Sequence, residues 1–160
     1  MTTDSPDRPE ARLLQAGIVL PSLPPTPIGS FTNVREAGGL VYVSGQGPVA
    51  ADGSLCRGKV GDDVTAEQAR GHAELVAGNI LAALKAQFGS LDRLAGVVKL
   101  LGLVNATPDF DRHSFVIDGA SDLFAGIFGS SGIHARSSFG VSSLPNRITV
   151  EIEGIFELAT

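Results

Sequence analysis

The stretch from Thr65 to Val104 narrows the folds open to this chain more than any other part of it. Thr65 and Gln68 have the spacing of a capping box, in which a side-chain oxygen satisfies a free amide at the start of a helix. Ala69, Ala73, Val76, Ile80, Leu84 and Phe88 then recur every three or four residues, and Gly89 offers the left-handed residue on which a helix ends. Soon afterwards, residues 94–104 form a run dense in Val and Leu and of strand length, although Gly96 and Gly102 count against an unbroken strand. A long helix with one apolar face, followed at once by an apolar strand, must lie against a sheet, because neither surface is stable in water.

The flanking segments extend that sheet. Phe31–Arg35 and Leu40–Ser44 flank Gly38-Gly39, a dipeptide suited to a tight hairpin. Residues 46–61 carry an Asp52-Gly53 turn and are expected to wander back toward the sheet, with or without a short strand. A second helical region is predicted from Thr107 or Asp109 through Leu123, Ile127 and Phe128 to the GSSG segment at 129–132. Two more strands follow, over 135–141 and 147–156. This order gives a sheet with helices on one face, whose bare face needs polar side chains or another copy of the sheet. At the N-terminus, Leu13, Leu14 and Ile18 share a face of a short helix that begins at Pro9 and ends near Gly17. Four prolines over residues 20–27 rule out regular helix there and read as an ordered strap. Residues 1–8 read as a flexible tail and 9–160 as one domain.

With 160 residues, the chain can bury a core without a disulfide or a metal. Hydrophobic residues make up 43% and charged residues 18%, an apolar excess that self-association would cover. The net charge of -5, with no block of Lys or Arg, argues against a surface that tracks a nucleic-acid backbone. Cys56 is the one cysteine, which excludes an intramolecular disulfide and a cysteine-based metal site. The N-terminal residues lack a secretory pattern, and no apolar run reaches the roughly 18 residues that span a bilayer. A cytoplasmic protein with no membrane contact is the expectation.

No dinucleotide-binding, Walker A or HExxH pattern is present, and His72, His113 and His134 are too scattered to mark a metal site. Arg136 stands out within HARSSFGV, where an unpaired guanidinium is costly to bury. Its partner is either an internal carboxylate, Glu151 or Glu153, or a bound anion whose planar carboxylate matches the guanidinium fork. His134, two residues earlier, shares its side of an extended strand. Glu151, Glu153 and Glu157 fall on one side of the last strand, as a solvated face or as the source of a proton-transfer group. Ser44-Gly45 at a strand end can form a tight turn or present a hydroxyl and an amide to an oxyanion.

These residues lie in segments that resemble the YjgF/RidA family, the reactive-intermediate deaminases. The segments are GSF at 29–31, LVYVSGQGP at 40–48, GKVG at 58–61, NILAALKAQFGSLDRL at 79–94 and HARSSFGVSSLPNRITVEIEG at 134–154. The N-terminal helix and the proline-rich strap resemble a less characterised branch. The resemblance implies a chorismate-mutase-like α+β fold, a mixed β-sheet with two main helices packed on one face. It further implies a homotrimer with clefts between subunits, in which Arg136 holds a substrate carboxylate, Glu151 activates water, and Ser44 and Gly45 lie beside the ligand. The family's N-terminal tyrosine is Phe31 here, its helical asparagine falls on Asp118, and a cysteine near the arginine is Ser138. An acid at position 118 repels a carboxylate if it faces the cleft.

Three functions follow. The first is hydrolytic deamination of enamine or imine intermediates of small carboxylic acids to 2-keto acids and ammonia, which needs neither metal nor organic cofactor. The second is a trimer that binds or senses small carboxylates without turnover. The third, endoribonuclease (L-PSP-like) or translation inhibitor, is described for some relatives and is disfavoured by the acidic charge.

Overall fold

The computed structural model describes residues 5–160. A short helix, α1 (Pro9–Gln15), precedes the hairpin of β1 (Val34–Ala37) and β2 (Leu40–Gln46). Then come α2 (Ala66–Phe88), β3 (Leu94–Asn105), α3 (His113–Phe128), β4 (Ala135–Val141) and β5 (Val150–Leu158). The five strands form one sheet in the order β1-β2-β5-β3-β4. The β3–β4 pair is parallel and the other three pairs are antiparallel, so the sheet is mixed. The fold is thus α+β, with the helices on one face of a mixed sheet.

Local chemistry explains the element ends. Thr65 Oγ1 accepts from the Gln68 amide at 3.1 Å while the Gln68 side chain accepts from the Thr65 amide at 2.9 Å, completing the expected box. Gly89 closes α2 at φ 78°, and Gly38 and Gly39 turn the hairpin at φ 61° and 78°. Buried Ala69, Ala73, Val76, Ile80 and Leu84 set α2 on the sheet, against Val41, Val43, Ile152 and Phe156. From α3, Phe124 meets Phe156 edge-on at 5.6 Å.

Several boundaries differ from the sequence reading. β1 starts three residues later than predicted, because Phe31 belongs to the strap and not to the strand. Beyond the end of β2, residues 47–61 form no further strand; isolated bridges, such as Val49 with Leu55 and Arg57 with Ile148, replace it. α3 begins only at His113. β3 runs unbroken through Gly96 and Gly102 because the layer above crosses closely at both. A Cβ at 96 would stand 2.4 Å from the Ser131 carbonyl, and one at 102 would stand 2.6 Å from Ile117. Of the N-terminal tail, residues 1–4 lie outside the described part, while Arg8 stands at the residue before α1 and its side chain is held to Asp92 at 2.7 Å.

The bare face follows from the strand register. Glu151 lies opposite Leu103, which lies opposite Phe139; Ile155 lies opposite Tyr42. Phe139 is 47% exposed and Tyr42 43% exposed, so this face carries large apolar groups among its glutamates.

Candidate active site

The sheet positions Glu151 through an irregularity in β2. Val43 pairs with Gly154 but Gln46 pairs with Ile152, so Ser44-Gly45 carries one residue more than the strand opposite. Such a bulge bends the strand and re-aims its side chains. It brings the Gly45 backbone so close to Glu151 that a Cβ at 45 would stand 2.9 Å from the carboxyl carbon. Burial, and then the neighbouring charge of Glu153, push the Glu151 carboxyl above its ordinary value. The carboxyl makes no hydrogen bond or ion pair among the described residues, which leaves it free to exchange a proton with a ligand or a water.

Above Glu151 opens a cavity of about 510 Å³, walled by the strap and by Gln46, Val49, Leu55 and Ile148. A polar chain ties the strap to the bulge. Asn33 donates to the Pro25 carbonyl at 2.7 Å, and Gln46 donates to Asn33 and to the Ser44 carbonyl, both at 3.1 Å. The Ser44 hydroxyl donates to the Thr32 carbonyl at 2.7 Å, so its proton is already committed. Phe31 stands at the mouth, 49% exposed.

Arg136 belongs to a second cluster, on β4 and α3. Its Nη1 donates to the Asp118 carboxylate at 2.8 Å and to Ser121 Oγ at 2.9 Å; Nη2 reaches the Ser114 carbonyl at 3.3 Å. The expectation of an internal partner in Glu151 or Glu153 is therefore corrected: the carboxylate comes from α3. Asp118 also stands 4.0 Å from Arg70, which is paired with Asp122 at 2.6 Å. His134 lies on the same side as Arg136 and shares Ser121 with it: Nε2 is 2.9 Å from that hydroxyl, and Nδ1 is 2.6 Å from the Gly132 carbonyl. Nδ1 must donate to that carbonyl, so in neutral His134 Nε2 accepts from Ser121. Burial, with the Arg136 charge, favours this neutral form. Ser138 follows on the same side of β4, its hydroxyl buried with no hydrogen-bond partner among the described residues.

The two clusters lie on opposite faces of the sheet. Arg136 pairs with Leu100, which is fully buried beneath the helices, whereas Glu151 sits in the row of Leu103 and the exposed Phe139. β3 also separates their strands. One chain therefore brings Phe31, Ser44, Gly45 and Glu151 together, and brings Asp118, His134, Arg136 and Ser138 together, but does not join the two sets.

Sequence reasoning missed Ser121, Asn33 and Gln46. Ser121 had a usable signal, since it follows Asp118 by three residues and so shares its helix face. Asn33 and Gln46 meet only through the strap and the bulge. Cys56 lies half-buried, and burial, then Asp52, push its thiol up, away from the reactive thiolate. His72 is held by Thr149 at 2.9 Å, outside both clusters. Among the described residues, no group of three or more His, Cys, Asp or Glu has metal-binding geometry, and no helix is long and apolar enough to cross a membrane.

With this fold and these two clusters, the chain belongs to the YjgF/RidA family. Residues 10–152 match the family model described as "YjgF/chorismate mutase-like, putative endoribonuclease". The chain is 35% identical over 159 residues to protein TCP17 of Trypanosoma cruzi, covering 99% of each chain. A crystal structure of a protein of unknown function from Agrobacterium tumefaciens is similar at a TM-score of 0.85 and 40% identity, over 94% of this chain and 92% of that one. A Shewanella oneidensis structure described as a "putative endoribonuclease" has a TM-score of 0.89 and 31% identity, over 94% of this chain and 99% of that one.

Proposed function

We propose that this protein hydrolyses imines and enamines of small carboxylic acids to 2-keto acids and ammonia, using sites assembled between copies of the chain. The observation that carries this reading is Glu151: a half-buried carboxyl with a raised pKa, seated against Gly45 beneath a cavity and without a hydrogen bond or ion pair among the described residues. A carboxyl raised above its ordinary value holds a proton more readily than a free one and so is suited to passing it in either direction.

The chemistry asks little of the protein. An enamine first takes a proton on carbon and gives up one from nitrogen, becoming the imine. Water then attacks the imine carbon; a C–O bond forms and the C=N pair goes to nitrogen. Glu151 removes a proton from the attacking water and passes it to that nitrogen, giving an amino alcohol; it then takes the hydroxyl proton and delivers it to nitrogen as the C–N bond breaks. Ammonia leaves, and the remaining oxygen lone pair closes the ketone. Atoms and charge balance with water as the one co-reactant.

Arg136 supplies the grip on the substrate carboxylate. Because it lies on the face opposite Glu151, it serves the Glu151 cavity of a neighbouring copy. The apolar bare face, with Tyr42, Leu103 and Phe139, offers the surface for that assembly, and a trimer with clefts between subunits satisfies both requirements. Endoribonuclease action finds no support in the acidic charge of the chain.

Ammonia release from enzymatically generated 2-aminoacrylate tests the reading, with wild type compared with Arg136→Ala and Glu151→Gln. Acceleration over buffer that both substitutions abolish is the expected result. Folded wild-type protein that accelerates neither this imine nor larger ones would leave carboxylate binding without turnover.

A further inference from the structure

The strap over residues 20–31 does more than connect α1 to β1. Pro25, Pro27, Ile28 and Phe31 form one wall of the cavity above Glu151, and Val49 and Leu55 form part of the other. Ile28 is 72% exposed, so the strap holds a large apolar side chain at the cavity mouth largely uncovered by the described residues. A residue placed there gains little from folding; it gains more when a ligand buries it.

The strap is held in this position at both ends. Toward its N-terminal end, α1 is fastened by Arg8 to Asp92 at 2.7 Å and by Glu10 to Lys85 at 2.8 Å. Toward its other end, Asn33 holds the Pro25 carbonyl. Between them, Pro24, Pro25 and Pro27 fix the backbone. At Gly29 a Cβ would meet the Phe31 ring at 3.1 Å, so the glycine lets that ring fold back against the strap. A wall ordered in advance adds little entropy cost when a ligand arrives.

The charges decide which part of a ligand enters. The described residues lining the cavity include Glu151 and Glu153 but no lysine or arginine. A carboxylate is held only where the neighbouring copy's Arg136 reaches, since the lining of one copy offers it two acids and no cation; over the rest of the cavity an uncharged apolar group meets prolines, aliphatic chains and a phenyl ring. At about 510 Å³, the space falls in the range of sites that enclose whole small molecules, far more than a methyl or methylene substituent needs.

We infer that the strap cavity receives the substrate's side chain, so that this protein selects imino acids with branched aliphatic or aromatic side chains over the three-carbon imine. The inference rests on the deaminase reading above and adds the substrate class. Ile28 and Val49 are the specificity-determining residues; the bond changes at the imine carbon are unaltered by the side chain.

The stable keto-acid products make the test independent of turnover. Calorimetric binding of 4-methyl-2-oxopentanoate, phenylpyruvate and pyruvate is measured on wild type and on Ile28→Ser and Val49→Ser. The two apolar acids are expected to bind roughly tenfold or more tighter than pyruvate, a preference that shrinks several-fold in both variants. In parallel, imines generated from leucine, phenylalanine and alanine by an amino-acid oxidase are followed for hydrolysis, with the same order expected. Equal binding of all three acids, or a preference that both folded variants retain, overturns the inference whatever the imine rates. A preference lost in the variants but accompanied by no hydrolysis supports the cavity assignment and defeats the deaminase reading instead.

Discussion

Arg136 already holds a carboxylate of its own chain, Asp118, at 2.8 Å. The same nitrogen reaches Ser121, and the other terminal nitrogen has only a long contact to the Ser114 carbonyl. The guanidinium is therefore positioned but partly neutralised, and an incoming carboxylate must share it with Asp118. Asp118→Asn keeps an oxygen acceptor for Arg136 while removing the competing charge. Its expected effect is a Kd for a small keto acid lowered about five- to tenfold, against a stability loss of about 1 kcal/mol, since the pair is partly exposed. Calorimetry with pyruvate and thermal unfolding read the two effects; unchanged affinity in a folded variant would show that Arg136 is not the anion anchor.

Gly45→Ala separates catalysis from folding. The new methyl would stand 2.9 Å from the Glu151 carboxyl carbon and from Oε2, the far end of a flexible side chain. Glu151 can swing aside at small cost to the fold, so the Tm is expected to shift by only 1–2 °C, about that of a modest repacking. Displacing the carboxyl by that much is expected to lower kcat/KM on the order of a hundredfold. A large fall in Tm with activity retained per folded molecule would reverse the assignment.

The reach of the sequence can be judged from particular residues. The capping box at Thr65, the stop at Gly89 and the hairpin at Gly38-Gly39 depend on neighbours in sequence, and the structure keeps all three. Placing Glu151 and Glu153 on one side of β5 needed only the two-residue period of a strand. The partner of Arg136 was a different matter, because Asp118 reaches it through the packing of α3 over β4. The cavity depends on the Ser44-Gly45 bulge and on Asn33 holding the strap, and no local pattern announces either. Gly96 and Gly102 misled for a related reason: they break a strand by propensity, yet here each makes room for the layer above.

Glu151 should leave a signature in the pH dependence of stability. Its folded pKa is raised above the ordinary 4.5, by burial first and by Glu153 second. A group shifted upward contributes stability fully below the unfolded value, and that contribution is lost as pH rises through the folded pKa. Glu151→Gln is therefore expected to unfold above wild type at neutral pH, by about a few tenths of a kcal/mol after solvent screening, and to lose that advantage below about pH 4.5. Thermal unfolding of both proteins from pH 4 to 8 measures the difference, and an advantage that grows toward acid pH would contradict the raised pKa.

Glu10 behaves with the opposite sign and tests the anchor of the strap. Burial raises its pKa, but the Lys85 ammonium at 2.8 Å and the Leu91 amide at 2.9 Å outweigh that and set it below 4.5. Its contribution is then fully present above the unfolded value and lost as pH falls through the lowered folded value. Glu10→Gln is expected to cost about 1 kcal/mol at neutral pH, or roughly 2–4 °C in Tm, with the gap to wild type closing below pH 4.5. The loss should be local as well as global. Amide exchange at Leu91 and through α1 should accelerate more than exchange in β3, because those amides open without unfolding the sheet. Equal acceleration in β3 would mean that α1 unfolds only with the whole domain, and that the strap takes its position from the sheet and not from the helix that precedes it.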